Sequence, residues 1–556
     1  MMLAHFSHYL RSNQAPSECE TRRLKAFRMN ALEEISAIVV GLEQFDQGDL
    51  NSLRLKRANI QKSIDDCNTI LAPIRRLYMD VLGLIFAHCL ATHRNAIMNA
   101  SEAPVLITHI CSAWRSIALS IPQLWSTFLI RLLRADIQTR KVILPGRLSS
   151  CDQERRMEAH SEEVRRWLRL SSVYPLSISI TSTSKRDCHQ PPLDAIIQSS
   201  RRWQQLELRH LSPHSNVWKK IMDLSADDFC MLRELRLHST NDRLGLWVQS
   251  ALFAAHGLRS IHINKINKTN GFSAGIPQNW QDLNHLFIHS PILLRVANQM
   301  LNHCHSLVAC LLEVAIEKSD SDFPLQSSPL PHLKFLSLKA SSTGCNHIFH
   351  YIEAPSLQIL DCQGYFLDES EGPGLYDFLQ RINSLNTLAI DHRFLTMDII
   401  FKCGTLIPSL KHLVLSRAHL LPVELMSTLY EIKYQYSPDS PPTTPFPSLE
   451  VFEAYHVEGA THRLILESII AIIDATRSNT GVSKLRKVFV QFRRNRLTDI
   501  VPEALAYAQA AGIELKLELF GSYDMEKPFD WSWSPSFDTI SGADNLSELW
   551  MYSDDT

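Results

Sequence analysis

The chain has 556 residues, 45% of them hydrophobic and 21% charged, a composition that argues against a fibrous, wholly disordered or membrane-embedded protein. Fifty-six basic side chains against 58 acidic ones leave a formal charge of -2, so the global positive field of a dedicated nucleic-acid binder is missing and any basic surface is local. At roughly 150 residues per domain, the length allows three or four globular units or one long repeat array.

Twelve cysteines are scattered without a C-x-x-C pair, which fits neither a disulfide framework nor a zinc ribbon. The N-terminal apolar residues give way to Arg11-Ser12-Asn13-Gln14 too soon for a signal-peptide core, and no stretch approaches 18 apolar residues. These features predict a reducing compartment, cytoplasm or nucleus.

Residues 1–71 read as a helical, coiled-coil-like arm. Within it, residues 1–28, with Arg11, Arg22, Arg23, Lys25 and Arg28, are expected to form a mobile basic lead-in. From Asn30 to Leu71 the spacing of Leu32, Ile35, Val39, Leu42 and Phe45, resumed after Gly48 by Leu53, Ile60 and Ile64, predicts one apolar stripe over two helices.

Residues 72–130 form the next block. The run from Ile74 to Leu90 predicts a short helix with Leu82, Ile85, Phe86 and Cys89 on one face. Ser101 can then cap a second helix, Pro104 suits its first turn, and Ile107, Ile110, Cys111, Trp114, Ile117 and Ala118 trace one face until Pro122. Phe86, Cys111, Trp114 and Trp125 are the candidate core of this small all-α domain.

The pattern Leu77, Val81-Leu82-x-x-Ile85-Phe86-x-x-Cys89-Leu90, followed by Ala103-Pro104-x-Leu106-x-x-x-Ile110-Cys111-x-x-Trp114-Arg115 and Pro122-x-Leu124-Trp125-Ser126, closely resembles the F-box-like domain of the expanded fungal F-box families. The resemblance covers about 55 residues. It implies that Ile74, Leu77, Met79, Val81, Leu82, Ile85 and Phe86 supply or support a surface for a Skp adaptor and, through it, a cullin. The family usually has Leu-Pro-Pro-Glu where this chain has Leu77-Tyr78-Met79-Asp80. Proline fixes φ, so its absence removes one source of rigidity at the entry to the first helix.

Residues 131–163 read as a polar linker, and residues 164–520 as a repeat array. Val164 to Ser171 predicts a helix, and Leu176 to Ile180 the first strand. The motif L-x-x-L-x-L or a close variant then recurs at Trp203–Leu208, Leu232–Leu237, Leu258–Ile263, Leu283–Ile288, Leu333–Leu338, Leu357–Leu360, Leu385–Ile390, Leu410–Leu415, Leu449–Phe452 and Leu485–Val490. The gap between positions 286 and 336 should hide one degenerate repeat around Leu307 to Val314. A period of about 25 residues with this motif is the signature of leucine-rich repeats, in which each strand-plus-helix unit buries its apolar face against its neighbours. Helical halves are legible at Leu375, Phe378, Leu379 and Ile382 and, less cleanly, at Met397, Ile400 and Phe401. The expected fold class is therefore α/β: a helical arm and F-box-like domain, then an irregular solenoid whose strands line a concave wall. Residues 437–445 are too proline-rich for regular structure, and residues 521–556 read as an acidic tail with Trp531, Trp533 and Trp550.

Catalytic chemistry finds little support. Gly271-Phe272-Ser273-Ala274-Gly275 matches the nucleophile-elbow spacing of a serine hydrolase but lacks the preceding apolar strand and following helix that would strain and expose Ser273. His303-Cys304-His305 with Cys310 does not supply four tetrahedral ligands, so no metal is expected. Nucleotide-binding glycine motifs are missing, and no cofactor is expected. The basic run from Lys484 to Arg496 alternates with Val488, Val490 and Phe492 and reads as a strand with one solvated face. The sequence thus points away from an enzyme and toward a receptor that joins an adaptor to a protein client. A non-catalytic scaffold without the adaptor is the alternative.

Overall fold

The computed structural model describes residues 2–12, 14–42, 47–92, 94–132, 150–182, 190–209, 215–238, 250–264, 277–315, 326–340, 345–364, 373–391, 404–416, 446, 448–457, 485–493 and 501–520. They fall into two units, Met1–Leu129 with Arg165–Tyr174, and Ile130–Val164 with Pro175–Thr556. Ser273, the segment 437–445, the positions 397, 400 and 401, and the acidic tail lie outside the described residues.

The first unit begins with three helices, α1 (Met2–Leu10), α2 (Glu18–Leu42) and α3 (Gln47–Leu71). Residues 2–12 and 14–28 are therefore structured rather than a mobile lead-in. The reason is local chemistry that the count of basic residues hides. Ser17 and Glu20 form a reciprocal capping box, the Ser17 hydroxyl accepting from the Glu20 amide at 3.3 Å and the Glu20 carboxylate accepting from the Ser17 amide at 2.9 Å. The Tyr9 hydroxyl donates to the same carboxylate at 2.8 Å. Phe6 and Tyr9 then pack with Leu24, Cys67 and Ile70, so α1 closes a small core over α2 and α3.

Helices α2 and α3 run antiparallel, as the pairs Arg28–Asn68 and Lys56–Glu34 require. The buried seam passes through Ala31, Ile38, Ile64, Cys67 and Ile70. On α3 it keeps Ile64 of the stripe read from spacing, with Leu53 and Ile60 half-buried, but on α2 it departs from that stripe: Leu32 and Val39 are exposed and Ile35 is half-buried. Both sets of α2 residues fit a helical period, and packing selects the one with the small Ala31.

A 3-10 turn at Pro73–Arg76 leads to α4 (Met79–His88), followed by α5 (Val105–Ile110), α6 (Ser112–Ser120) and a second 3-10 turn at Pro122–Trp125. The single helix expected after Pro104 is thus two. Cys111 is extended at φ -159, and its sulfur accepts the Trp114 amide at 3.3 Å, so this residue ends one helix and caps the next. Ser101 does not cap: α5 begins from Pro104 without a side-chain cap. Phe86 is fully buried with its ring 5.0 Å from Trp114, and the Trp125 indole donates to the Ala118 carbonyl at 2.8 Å. Trp125 also meets Trp167 edge-on at 5.1 Å. Trp167 belongs to α7 (Ser150–Leu170), so the second half of the expected linker is helical.

The second unit is dominated by a parallel sheet. Fourteen strands follow one another in chain order: β1 (Thr127–Leu132), β2 (Leu176–Ser182), β3 (Trp203–Arg209), β4 (Glu234–His238), β5 (Ser260–Asn264), β6 (His285–Leu293), β7 (Ala309–Ala315), β8 (Phe335–Ala340), β9 (Ile359–Gly364), β10 (Thr387–Asp391), β11 (His412–Ser416), β12 (Val451–Val457), β13 (Lys487–Arg493) and β14 (Glu514–Phe520). The described registers are parallel and align the motifs position by position, Leu206 with Leu235, Ile261 and Leu286, and Leu336 with Leu360, Leu388 and Leu413. Strict sequential order with motif-to-motif register is the arrangement of a leucine-rich-repeat solenoid. The degenerate repeat is present as β7, and Leu375, Phe378, Leu379 and Ile382 are buried on or just after the helix Pro373–Gln380. Strands β1 and β14 carry no motif that the periodicity reveals.

Candidate partner-docking surface

A ten-residue helix cannot bury all of its apolar residues against a core this small. In α4, Leu82 and Phe86 point inward, with exposures of 6% and zero. The residues on the remaining arc, Val81, Leu84 and Ile85, are left facing solvent, as are Met79 at the start of α4 and Ile74, Leu77 and Tyr78 in the segment before it. Tyr78, Met79 and Leu84 are 80%, 65% and 65% exposed. Seven large apolar side chains within twelve residues form a run far outside the scattered single exposures of an ordinary surface, and such runs mark protein–protein contact sites.

Of the adaptor-surface residues named from the sequence, Ile74, Leu77, Met79, Val81 and Ile85 lie on this exposed run, whereas Leu82 and Phe86 support it from beneath. Ile85 and Cys89 therefore do not share the buried face with Leu82 and Phe86. Tyr78 and Leu84 belong to the surface but were not singled out. Their signal was available: Leu84 follows Val81 by three positions, on the arc opposite Phe86. Leu106 and Ile110, on α5, are exposed too, which removes Ile110 from the predicted core face.

The surface is held from behind. Pro73 occupies the start of the 3-10 turn, where its fixed φ suits the geometry. Gly83, on α4, lies so close to Ile121 that a Cβ built there would stand 2.9 Å from the Ile121 Cδ1. In the arm, the capping-box and tyrosine hydrogen bonds hold the Glu20 carboxyl down to about 2, the Ser17 hydroxyl contributing most.

The repeat sheet presents a different kind of surface. Its motif leucines bury one face, and the alternating positions define the second, which the sequence reading takes as an open concave wall. The centre of that wall is not open. Phe287, Ala309, Leu311, Phe335 and Ile359 pack together across β6 to β9 with exposures of 5% or less, and Ala389, Val414, Tyr455 and Phe489 form a second buried cluster. A parallel sheet buried on both faces is the usual state of such sheets, and it is what these apolar outward positions imply.

Polar groups on the same face are largely spent on one another. Glu207 accepts from Arg209 at 2.7 Å and from His238 at 3.1 Å, and is bonded to Ser179. Burial alone would raise its carboxyl, but the His238 hydrogen bond and the Arg209 and His238 charges outweigh that and hold it well below the carboxylate range. Burial pushes His262 well below the ordinary imidazole value and, with Lys339 and His238 nearby, takes His289 down to about 4. Glu453 is similarly enclosed by Lys487 at 2.9 Å and Tyr455 at 2.8 Å. Of the basic run near the C-terminus, Lys487 is thus tied to Glu453, whereas Arg486 remains exposed beside Glu450, and Lys484, Arg494 and Arg496 lie outside the described residues. Burial pushes Cys304 up to about 12 and Cys310 up as well, which keeps both thiols protonated. Among the described residues no three His, Cys, Asp or Glu side chains come together as metal ligands, and no helix is long and apolar enough to cross a membrane.

No protein-family model matches the chain, and no curated protein does. Among solved structures, the chain is similar to one described as the crystal structure of a TLR13–ssRNA13 complex, at 13% identity and a TM-score of 0.28, over 59% of this chain and 52% of that one. The chain spans about half the length of that structure. The repeat reading rests on the strand registers and on the step between motifs.

Proposed function

We propose that this protein is a substrate receptor of F-box type, which holds a Skp adaptor on the exposed apolar run from Ile74 to Ile85 and a protein client on the repeat array. The observation that carries the reading is that run: seven apolar side chains presented on a well-packed helical core, five of which, Ile74, Leu77, Met79, Val81 and Ile85, are positions that the family resemblance assigns to the adaptor surface. The mechanism is one of proximity. A receptor that binds both partners raises the effective concentration of the ligase machinery beside the client's lysines and needs no bond-making residue of its own.

The buried centre of the strand wall moves the client away from Phe287, Leu311 and Phe335, so those side chains are not assigned to client recognition. The test is co-purification of the Skp adaptor with the full chain and with a Met79→Asp, Leu84→Asp double variant, circular dichroism serving as the folding control. Stoichiometric adaptor on the wild type and none on the folded variant is the expected result. Wild-type chain that is folded and carries no adaptor overturns it and leaves a non-catalytic interaction scaffold.

A further inference from the structure

The exposed run begins one residue before Arg75, and Arg75 reaches back more than 60 positions to the N-terminal helix. Its Nη1 donates to the carbonyl of Tyr9 at 2.8 Å, of Ser12 at 2.9 Å and, more weakly, of Gln14 at 3.4 Å. Tyr9 lies in the last turn of α1, whose carbonyls have no partner within the helix and carry its negative end, so a cation there meets a favourable field; Ser12 and Gln14 lie just beyond the helix. Beside it, the Arg76 Nη2 donates to the Thr21 hydroxyl at 3.2 Å, tying the same turn to α2. Tyr9 is in turn locked, its ring in the Phe6–Leu24–Cys67–Ile70 core and its hydroxyl on Glu20.

We propose that Arg75 is a positioning residue for the docking surface: with the carbonyls of Tyr9, Ser12 and Gln14 as its clasp, it fixes the turn from Pro73 to Tyr78 in the conformation that presents Ile74, Leu77 and Met79. This inference rests on the receptor reading. The chain lacks prolines at Tyr78 and Met79, so rigidity at this entry comes instead from a tertiary contact, and rigidity before binding lowers the entropy lost on docking. The three bonds leave from one nitrogen, a geometry that a lysine ammonium can approach and a methionine cannot.

The experiment uses the full chain as wild type, Arg75→Met and Arg75→Lys, and measures two quantities: amide hydrogen exchange across residues 74–82 without adaptor, and the Kd for the Skp adaptor. The expected result is about tenfold faster exchange and about tenfold weaker binding for Arg75→Met, with Arg75→Lys within about threefold of wild type, provided that the turn is pre-organised as argued. Unchanged exchange and unchanged Kd in Arg75→Met overturn the inference, and so does faster exchange with unchanged Kd, because rigidity then contributes nothing to docking. Wild-type chain that binds no adaptor removes the receptor reading and the positioning role with it. The exchange data then still report whether the clasp holds the turn, so the two failures are distinguishable.

Discussion

The helical unit and the repeat array deal with surplus apolar residues in opposite ways. In the array, apolar side chains on both faces of the sheet are buried, Leu286 and Leu312 on one and Phe287 and Leu311 on the other. In the helical unit, α4 buries Leu82 and Phe86 but leaves Val81, Leu84 and Ile85 in solvent. An apolar residue left uncovered costs solubility and returns no stability to the fold, so the uncovered run is where we propose that the adaptor docks. The contrast shifts attention from the long array, the conspicuous feature of the sequence, to a short stretch of one helix and the turn before it.

The sharpest way to break the comparison is Phe86→Ala. This residue is wholly buried beneath the docking run, and its truncation should destabilise the helical unit by about 3–5 kcal/mol. Hydrogen exchange should show protection lost in α4 to α6 but retained in β6 to β9. Equal loss in both regions would mean that the two units do not unfold separately. Next comes Leu311→Ala, which should cost about 2–5 kcal/mol if the second face of the sheet is core, whereas Leu84→Ala should stay within about 0.5 kcal/mol. Denaturant unfolding of the two variants compares them directly, and a near-neutral Leu311→Ala would reopen the wall as a binding surface.

Acid should separate the regions as well. His262 and His289 have folded values depressed below the ordinary 6.5, so the unfolded chain binds more protons than the folded one once the pH drops below that value. Array stability is therefore full above about pH 6.5 and declines as the pH falls toward about 4, where His289 itself titrates in the folded chain. Glu20 is depressed from 4.5 to about 2, so its support of the N-terminal helices persists to lower pH and is lost between those values. Exchange measured in β5 and in α2 along a pH series, corrected for intrinsic rates, should show the strand loosening first. The smallest expected effect is that of Gly83→Ala. Alanine favours the helix by up to about 1 kcal/mol, and the contact it creates is with the movable end of Ile121, so a net stabilisation below about 1 kcal/mol should appear on chemical denaturation.

Much of the fold is legible in the residues themselves. The L-x-x-L-x-L spacing locates β3 to β13, because a strand that buries alternate leucines and repeats every 24 to 29 residues as far as β11, then at longer steps to β12 and β13, has few other solutions. The exposed run is partly legible: Ile74, Leu77, Met79, Val81 and Ile85, named from the family resemblance, are exposed, while Tyr78 stands where the family has a proline and Leu84 at a position the pattern leaves open. The structured N-terminus is hidden because its capping box and its Tyr9–Glu20 bond are made by polar residues that apolar periodicity does not register.

Local pattern alone thus determined the order of the strands from β2 to β13, the helical character of residues 30–71 and of the segment from Met79 to Ser120, and the pairing of Phe86 with Trp114, since short-range spacing dictates which residues share a face. Tertiary structure decided which face is covered. That Ala31 rather than Leu32 enters the arm's seam, that Phe287 and Leu311 are buried while Leu84 is not, and that Arg75 reaches Tyr9 all depend on contacts between residues distant in the chain. Periodicity states that a face exists, and only packing states what lies against it.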